Sequence, residues 1–356
     1  MIRMKTLIIN LGGTSTKVAL FENNLPIIKE TIRHDVDEIK KCKQIWEQYS
    51  LRKESILKFC AEQNIGLTDI SLFVSRGPVV KPLMGGVYAI DDQMVTDAKN
   101  QTYGKHVCSL GCAIAWELAE GVSGKALIAD PPCTDEMIPI ARYTGLPQIK
   151  RRSFFQALSH KALGRQLGEK LGKPYEELSL VIVHLGSGIS VATHHNGLVI
   201  DITNGLGGDA PFGMDRTGTL PASDWKKLIQ SGEFSDEEIE YMLNGGGGLM
   251  AHLGTNDGMA VENMVKAGDA KALEVMEAMA FQVSKAIGSA AAAMGKKPDG
   301  IAITGGLAYF KLFIDFITSK VDWIADVHIM PDVDEIEALA FQTIKAFNGE
   351  IEIKKY

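Results

Sequence analysis

Leu7-Ile8-Ile9-Asn10-Leu11-Gly12-Gly13-Thr14-Ser15-Thr16-Lys17-Val18-Ala19-Leu20-Phe21 and Val181-Ile182-Val183-His184-Leu185-Gly186-Ser187-Gly188-Ile189-Ser190-Val191-Ala192 follow one pattern. In each, an apolar run ends in one polar residue, then Leu-Gly, then a small hydroxylated loop, then a second strand-like run. The pattern predicts strand, turn, strand. Glycine in such a turn lets backbone N–H groups face a phosphate without side chains in the way. Two copies about half a chain apart predict duplicated halves that hold a nucleotide between them. A third glycine turn, Gly305-Gly306, follows the strand-like run Gly300-Ile301-Ala302-Ile303-Thr304.

Two familiar phosphate motifs do not apply. Gly12 to Lys17 lacks the Walker A spacing and runs into a strand, whereas a P-loop opens a helix. Gly186-Ser187-Gly188 is not G-x-G-x-x-G, which argues against a Rossmann dinucleotide site. Either loop alone reads as an ordinary hairpin. Three glycine turns after strands, two of them matching, point towards phosphate.

The bulk composition bounds the rest. With 356 residues the chain has room for two domains, each with its own core. A net charge of −7 argues against general nucleic-acid binding, and no apolar run is long enough to span a bilayer. Five cysteines without a C-x-x-C pair fit a reduced compartment, and Met1 to Lys5 show no signal-peptide architecture. A cytoplasmic location is expected. Cys108 and Cys112, four apart with no second pair, read as buried thiols rather than a zinc site.

Along the chain, helical spacing covers 43–64, 104–120, 153–171 and 269–294, and a last helix runs from about Asp334 to Phe347. Strands are expected at Leu72-Phe73-Val74 and Ala126-Leu127-Ile128-Ala129. They end beside Arg76 and Asp130, where ligands collect in open α/β sheets. His195-Asn196-Gly197 reads as a tight turn. Gly172-Lys173-Pro174 reads as a domain junction, and Gly245-Gly246-Gly247-Gly248 as an inert flexible loop.

At this point a resemblance becomes specific. Asn10 to Lys17, Val74-Ser75-Arg76-Gly77, Pro82-Leu83-Met84-Gly85-Gly86-Val87-Tyr88 and Asp130-Pro131-Pro132-Cys133-Thr134-Asp135-Glu136-Met137 fall in one order. His184 to Ser190, Arg216-Thr217-Gly218-Thr219-Leu220-Pro221, Leu253-Gly254-Thr255 and Thr304-Gly305-Gly306-Leu307-Ala308 continue it. The set resembles the acetokinase family of the acetate and sugar kinase/Hsp70/actin superfamily, most closely its butyrate kinase branch. The resemblance implies an α/β fold of duplicated actin-like ATPase (ribonuclease H-like) domains, with mixed sheets around a nucleotide cleft. Five strands are expected in each sheet. The first domain would cover 1–170 and receive 331–356, and the second would cover 171–330.

The implied reaction is reversible transfer of the ATP γ-phosphoryl group to a short-chain carboxylate, with Mg2+ and ADP as the other parties. A carboxylate is already ionised near neutral pH, so no strong base is needed. Cations are needed instead, because two anions must meet. By resemblance, Arg76 lies near the acyl substrate and Arg216 near the transferring phosphoryl group. Either arginine alone would read as a surface ion pair. Asp130 matches an active-site aspartate, or caps the turn before Pro131. Asn10, Gly12, Gly13, Thr14, Ser15 and Lys17 form the first phosphate loop, and His184, Gly186, Ser187 and Gly188 the second. Gly305 and Gly306 would flank the adenosine. Asn10 and Glu335 would sit at magnesium, and Val79, Pro82 and Leu83 are candidates for the acyl pocket. A homodimer through second-domain surfaces is also implied, and the small residues Ser289 to Ala293 permit close packing.

Two departures stand out. Asn10-Leu11-Gly12-Gly13 replaces the family's Asn-Pro-Gly-Ser. Gln156, in Phe154-Phe155-Gln156-Ala157-Leu158-Ser159-His160-Lys161, stands where the family places its active-site histidine. Glutamine donates a hydrogen bond but cannot become cationic. His160, one helical turn on, is the candidate substitute.

Overall fold

The computed structural model describes residues 4–356. Its strands are β1 (Lys5–Leu11), β2 (Ser15–Glu22), β3 (Leu25–Arg33), β4 (Ile70–Ser75), β5 (Val87–Ala89) and β6 (Lys125–Ala129). They continue as β7 (Ser179–Leu185), β8 (Ile189–His195), β9 (Leu198–Ile202), β10 (Gly300–Thr304), β11 (Val327–Ile329) and β12 (Ile353–Lys354). Two mixed sheets result, ordered β12-β5-β6-β4-β1-β2-β3 and β11-β10-β7-β8-β9.

Both repeats fold as three-stranded antiparallel meanders, β1-β2-β3 and β7-β8-β9, because each glycine loop is a hairpin turn. Parallel strands then extend each meander on its first strand: β4 and β6 beside β1, and β10 and β11 beside β7. The order β6-β4-β1-β2-β3 therefore repeats as β11-β10-β7-β8-β9. The first sheet has seven strands rather than the expected five. The short β5 pairs antiparallel with β6, and the C-terminal β12 pairs parallel with β5. The β8–β9 turn is made by Asn196 at φ 50° and Gly197 at φ 77°, the left-handed pair that a two-residue hairpin requires.

The chain forms two compact units, residues up to Thr134 with Asp334–Tyr356, and Asp135–Val333. The division falls at 134/135 rather than at 170/171. Helix Ala157–Leu171 packs on β7 and β10 and buries Leu163 and Leu167 with Leu178, Leu180 and Ile182, so it belongs to the second core. The Ile138 N–H also donates to the Ile200 carbonyl beside β9 (3.0 Å).

In the first unit, β1 and β4 run almost wholly buried between helices. Helix Cys108–Glu120 lies on β4, β6 and β1, and helix Glu335–Phe347 on β1, β6 and β4. Gly111 makes the first of these approaches possible, since a Cβ there would stand 2.8 Å from Ser75 Oγ. In the second unit the long helix Ala270–Met294 covers β8 and packs against helix Lys311–Val321. Among the described residues, no helix is long and apolar enough to cross a membrane.

Candidate active site

The first unit gathers three of the candidates at the ends of β1, β4 and helix Glu335–Phe347. Asn10, 4% exposed, donates from Nδ2 to Glu335 Oε2 at 2.9 Å. Arg76 Nη2 stands 3.5 Å from Glu335 Oε1. Asp334 caps that helix by accepting from the N–H groups of Ile336 and Glu337, which sets Glu335 in its first turn. One carboxylate with an amide beside it suits magnesium, which keeps waters and substrate phosphates as its other ligands.

The first glycine loop is held from behind by a residue that no motif had singled out. Arg52 is fully buried, and its Nη1 donates to the carbonyls of Gly12 and Ser15 at 2.9 Å each. Its Nη2 donates to the Gly13 carbonyl at 2.6 Å and to Gln48 Oε1 at 3.0 Å. Burial pulls the Arg52 pKa below its usual value. Guanidinium nevertheless stays protonated in proteins, so a cation is fixed beneath the loop. The only sequence signal was its place on the buried side of helix Tyr49–Glu62, a face otherwise apolar. Gly13 opens outward, with nothing within 4 Å of a Cβ placed on it. Lys17 is exposed and sits opposite Asn10 in the β1–β2 ladder. Thr14 and Ser15 complete the turn, whose Gly12 N–H donates to the Ser15 carbonyl at 2.8 Å.

Asp130 closes β6 with a positive φ of 40°, a strained position for a non-glycine residue. It is buried, and its Oδ1 accepts from the Gly86 N–H at 2.8 Å while its own N–H donates to the Gly86 carbonyl. The carboxylate is thus held by the backbone that leads into β5. Val79 and Leu83 are buried, Leu83 in the core of the first unit, whereas Pro82 is exposed.

In the second unit the second glycine loop and Arg216 form one piece. A Cβ on Gly188 would lie 1.8 Å from Arg216 Nη1, and one on Gly186 would lie 2.8 Å from His184 Nε2. The Arg216 backbone is clasped by the tetraglycine stretch. Asn244 bridges to Arg216, and the N–H groups of Gly245 and Gly247 donate to the Asp215 carbonyl (2.7 and 3.2 Å). A Cβ on Gly248, at φ 58°, would stand 2.0 Å from the Gly213 carbonyl oxygen. This stretch is a packed turn and not the expected flexible loop. Gly247 and Gly248 sit where two backbones meet, and Gly245 and Gly246 lie against the Tyr241 ring. Burial lowers the Arg216 pKa, and Asp215, 4.0 Å away, opposes that shift.

Gly305, at φ 97°, packs onto the end of β7, where a Cβ would meet the Leu185 carbonyl oxygen at 2.6 Å. A Cβ on Gly306 would meet nothing within 4 Å, and Ser187 is exposed. Gln156 precedes helix Ala157–Leu171 and accepts at Oε1 from Ser190 Oγ (2.8 Å). His160 does not take up the role of a cationic substitute. It is completely buried, its Nε2 is 2.8 Å from Ser190 Oγ, and its ring stacks on His194. Desolvation, reinforced by His194 and His184, holds its pKa well below the usual 6.5. A neutral His160 behind Gln156 is what the fold builds.

Two units that repeat one sheet order, each with a glycine hairpin and an arginine beside its central strands, have the actin-like ATPase fold. Acetate kinase from Porphyromonas gingivalis is similar with a TM-score of 0.76 at 17% identity, over 97% of this chain and 100% of that one. A propionate kinase from Francisella tularensis subsp. tularensis SCHU S4 gives 0.75 at 17%, over 96% and 99%. Acetate kinase from Entamoeba histolytica gives 0.74 at 15%, over 96% and 98%. Within the second unit, residues 138–311 match the model of the acetokinase family.

Proposed function

We propose that this chain transfers the γ-phosphoryl group of ATP reversibly to a short-chain carboxylate, giving ADP and an acyl phosphate. The acetokinase match over 138–311 supports this reading, as do the acetate and propionate kinases that share the fold. The observation that carries it is Arg216, whose guanidinium is seated on the second glycine loop over Gly188. A forked, permanent cation against a phosphate loop is what phosphoryl transfer between two anions requires.

In the proposed reaction a carboxylate oxygen forms the new P–O bond. The bond from phosphorus to the bridging β-phosphate oxygen breaks, and its electron pair leaves with ADP. No proton need move. Arg76 would bind the acyl carboxylate, and Asp130 would orient the cations around it. Arg216 would neutralise the phosphoryl oxygens, and Gln156 would add a neutral donor. Glu335 and Asn10 would hold magnesium, which when bound offsets phosphate charge. Butyrate or a related short- or branched-chain fatty acid is the proposed acceptor, with acetate or propionate as the alternative. One methylene changes selectivity by only about 1 kcal/mol, so overlap among acids is expected. A homodimer through second-unit surfaces belongs to the same proposal.

Gln156 favours a second reading, a nucleotide-binding regulatory protein with weakened transfer chemistry. An ATP-dependent acyl-hydroxamate assay across C2 to C6 acids, with and without magnesium, separates the two. Product that peaks at C4 and needs magnesium supports the butyrate reading. ATP binding without product from any acid overturns the kinase reading in favour of the regulatory one.

A further inference from the structure

Behind Gln156 runs an unbroken line of buried polar groups, all within the second unit. Gln156 Oε1 is 2.8 Å from Ser190 Oγ, Ser190 Oγ is 2.8 Å from His160 Nε2, and His160 Nδ1 is 3.3 Å from His194 Nε2. The line ends with His194 Nδ1, 2.7 Å from the Tyr175 hydroxyl. Ser190, His160, His194 and Tyr175 are all at most 3% exposed. Nothing in the phosphate-loop reading calls for such a chain.

Its proton positions can be worked out link by link. A carboxamide oxygen only accepts, so the Ser190 hydroxyl donates to Gln156. That spends the single proton of Ser190, so His160 must donate from Nε2. Burial holds His160 neutral, and its Nδ1 therefore accepts. His194 then carries its proton on Nε2. It too is held well below the usual pKa, by desolvation and by Lys161 and Arg165, so its Nδ1 accepts from Tyr175. Of the other groups facing His160, the His184 ring lies at 6.5 Å, inclined by 28°, and Phe155 meets it edge-on at 5.1 Å. One other arrangement satisfies all five groups, with every proton reversed. Gln156 would then donate inward and turn its carbonyl oxygen outward, which repels an anion.

We propose that Ser190, backed by His160, His194 and Tyr175, is the positioning residue for Gln156: it takes up Oε1, so the carboxamide NH2 is what faces an anionic phosphoryl ligand. This rests on the reading of the chain as a carboxylate kinase. It assigns the buried histidines to orientation, not proton transfer. The amide does by fixed geometry what a cationic side chain would do by charge.

Nitrogen-15 NMR of the intact protein labelled at histidine reads the chain directly. Both buried histidines are expected neutral and protonated on Nε2 from about pH 6 to pH 8. Protons on Nδ1 of both rings would mean the reversed chain and overturn the proposal. Activity supplies the second arm, as a cycle of Ser190→Ala, Gln156→Ala and the double variant. Ser190→Ala is expected to lower kcat about tenfold, the size of one lost hydrogen bond, and to cost nothing further once Gln156 is alanine. Equal losses in both backgrounds would show a merely structural serine and overturn the positioning role. If the wild-type protein forms no acyl phosphate at all, the kinase reading fails, and the histidine protons still decide the chain.

Discussion

The Arg216 guanidinium occupies the space that a side chain at residue 188 would need. A Cβ built on Gly188 would lie 1.8 Å from its Nη1 and 2.7 Å from its Cζ. The glycine of the second glycine loop therefore leaves room for the arginine seated on it. Loop and cation are one unit, although 28 positions separate them in the chain (216 minus 188).

Gly188→Ala should accordingly behave as an arginine variant. The added methyl pushes the guanidinium away, and the loss of one transition-state donor typically costs about a hundredfold in kcat. The acyl-hydroxamate assay should show Gly188→Ala close to Arg216→Ala, with the double variant no worse than either. Full activity in Gly188→Ala would mean that Arg216 acts from elsewhere.

Arg52 should matter first to stability. Arg52→Met strips donors from the carbonyls of Gly12, Gly13 and Ser15 and from Gln48, all of which it now satisfies. Gln48 is buried and the loop carbonyls are partly buried, so at about 1 kcal/mol for each acceptor left without its partner a loss of about 3 kcal/mol is expected in the unfolding of the first unit. Denaturant melts followed by tryptophan fluorescence test this, since Trp46 packs against that core. ATP affinity should fall with it, because a slack loop aims its N–H groups poorly. Arg52→Lys should recover only part of either, lacking the fork that reaches three carbonyls at once.

Low pH should destabilise the second unit through its buried histidines. His160 and His194 have folded pKa values below the unfolded 6.5, so the unfolded chain binds more protons once pH drops under about 6.5. Stability is then unaffected above that pH and declines below it, by up to about 1.4 kcal/mol per pH unit for each histidine. Thermal melts between pH 5 and pH 8 should show this slope. Ser190→Ala should leave it in place, since it leaves both imidazoles buried.

The two glycines of the third turn should separate fold from ligand. Gly305→Ala meets both a positive φ and the Leu185 carbonyl, and should lower the melting temperature by several degrees. Gly306→Ala faces open space and should leave melting unchanged. A weaker nucleotide Kd in Gly306→Ala, measured by calorimetry, would place adenosine against that turn. An unchanged Kd would remove Gly306 from the site.

Much of this was legible in the residues. The hairpin repeats, the strands that end beside Arg76 and Asp130, and the Asn196-Gly197 turn all follow from local pattern, and local pattern is what periodicity reports. The junction at 134/135 was not legible. Helix Ala157–Leu171 looks the same whichever sheet it covers, and only its burial against β7 and β10 assigns it. Nor was the tetraglycine stretch, because glycine marks equally a loose chain and a place where two backbones touch.

Sequence alone determined that two glycine hairpins lie at the ends of strands, and which charged residues stand near strand ends, because turn and strand propensities act within a few residues. Tertiary structure alone decided what those groups do to one another. Arg52 beneath the first loop, Arg216 over Gly188, Glu335 between Asn10 and Arg76, and Ser190 between Gln156 and His160 each join positions at least 28 residues apart. No propensity carries that far. Such pairs are set by which faces the two sheets bury, and by the need to satisfy every polar group those faces enclose.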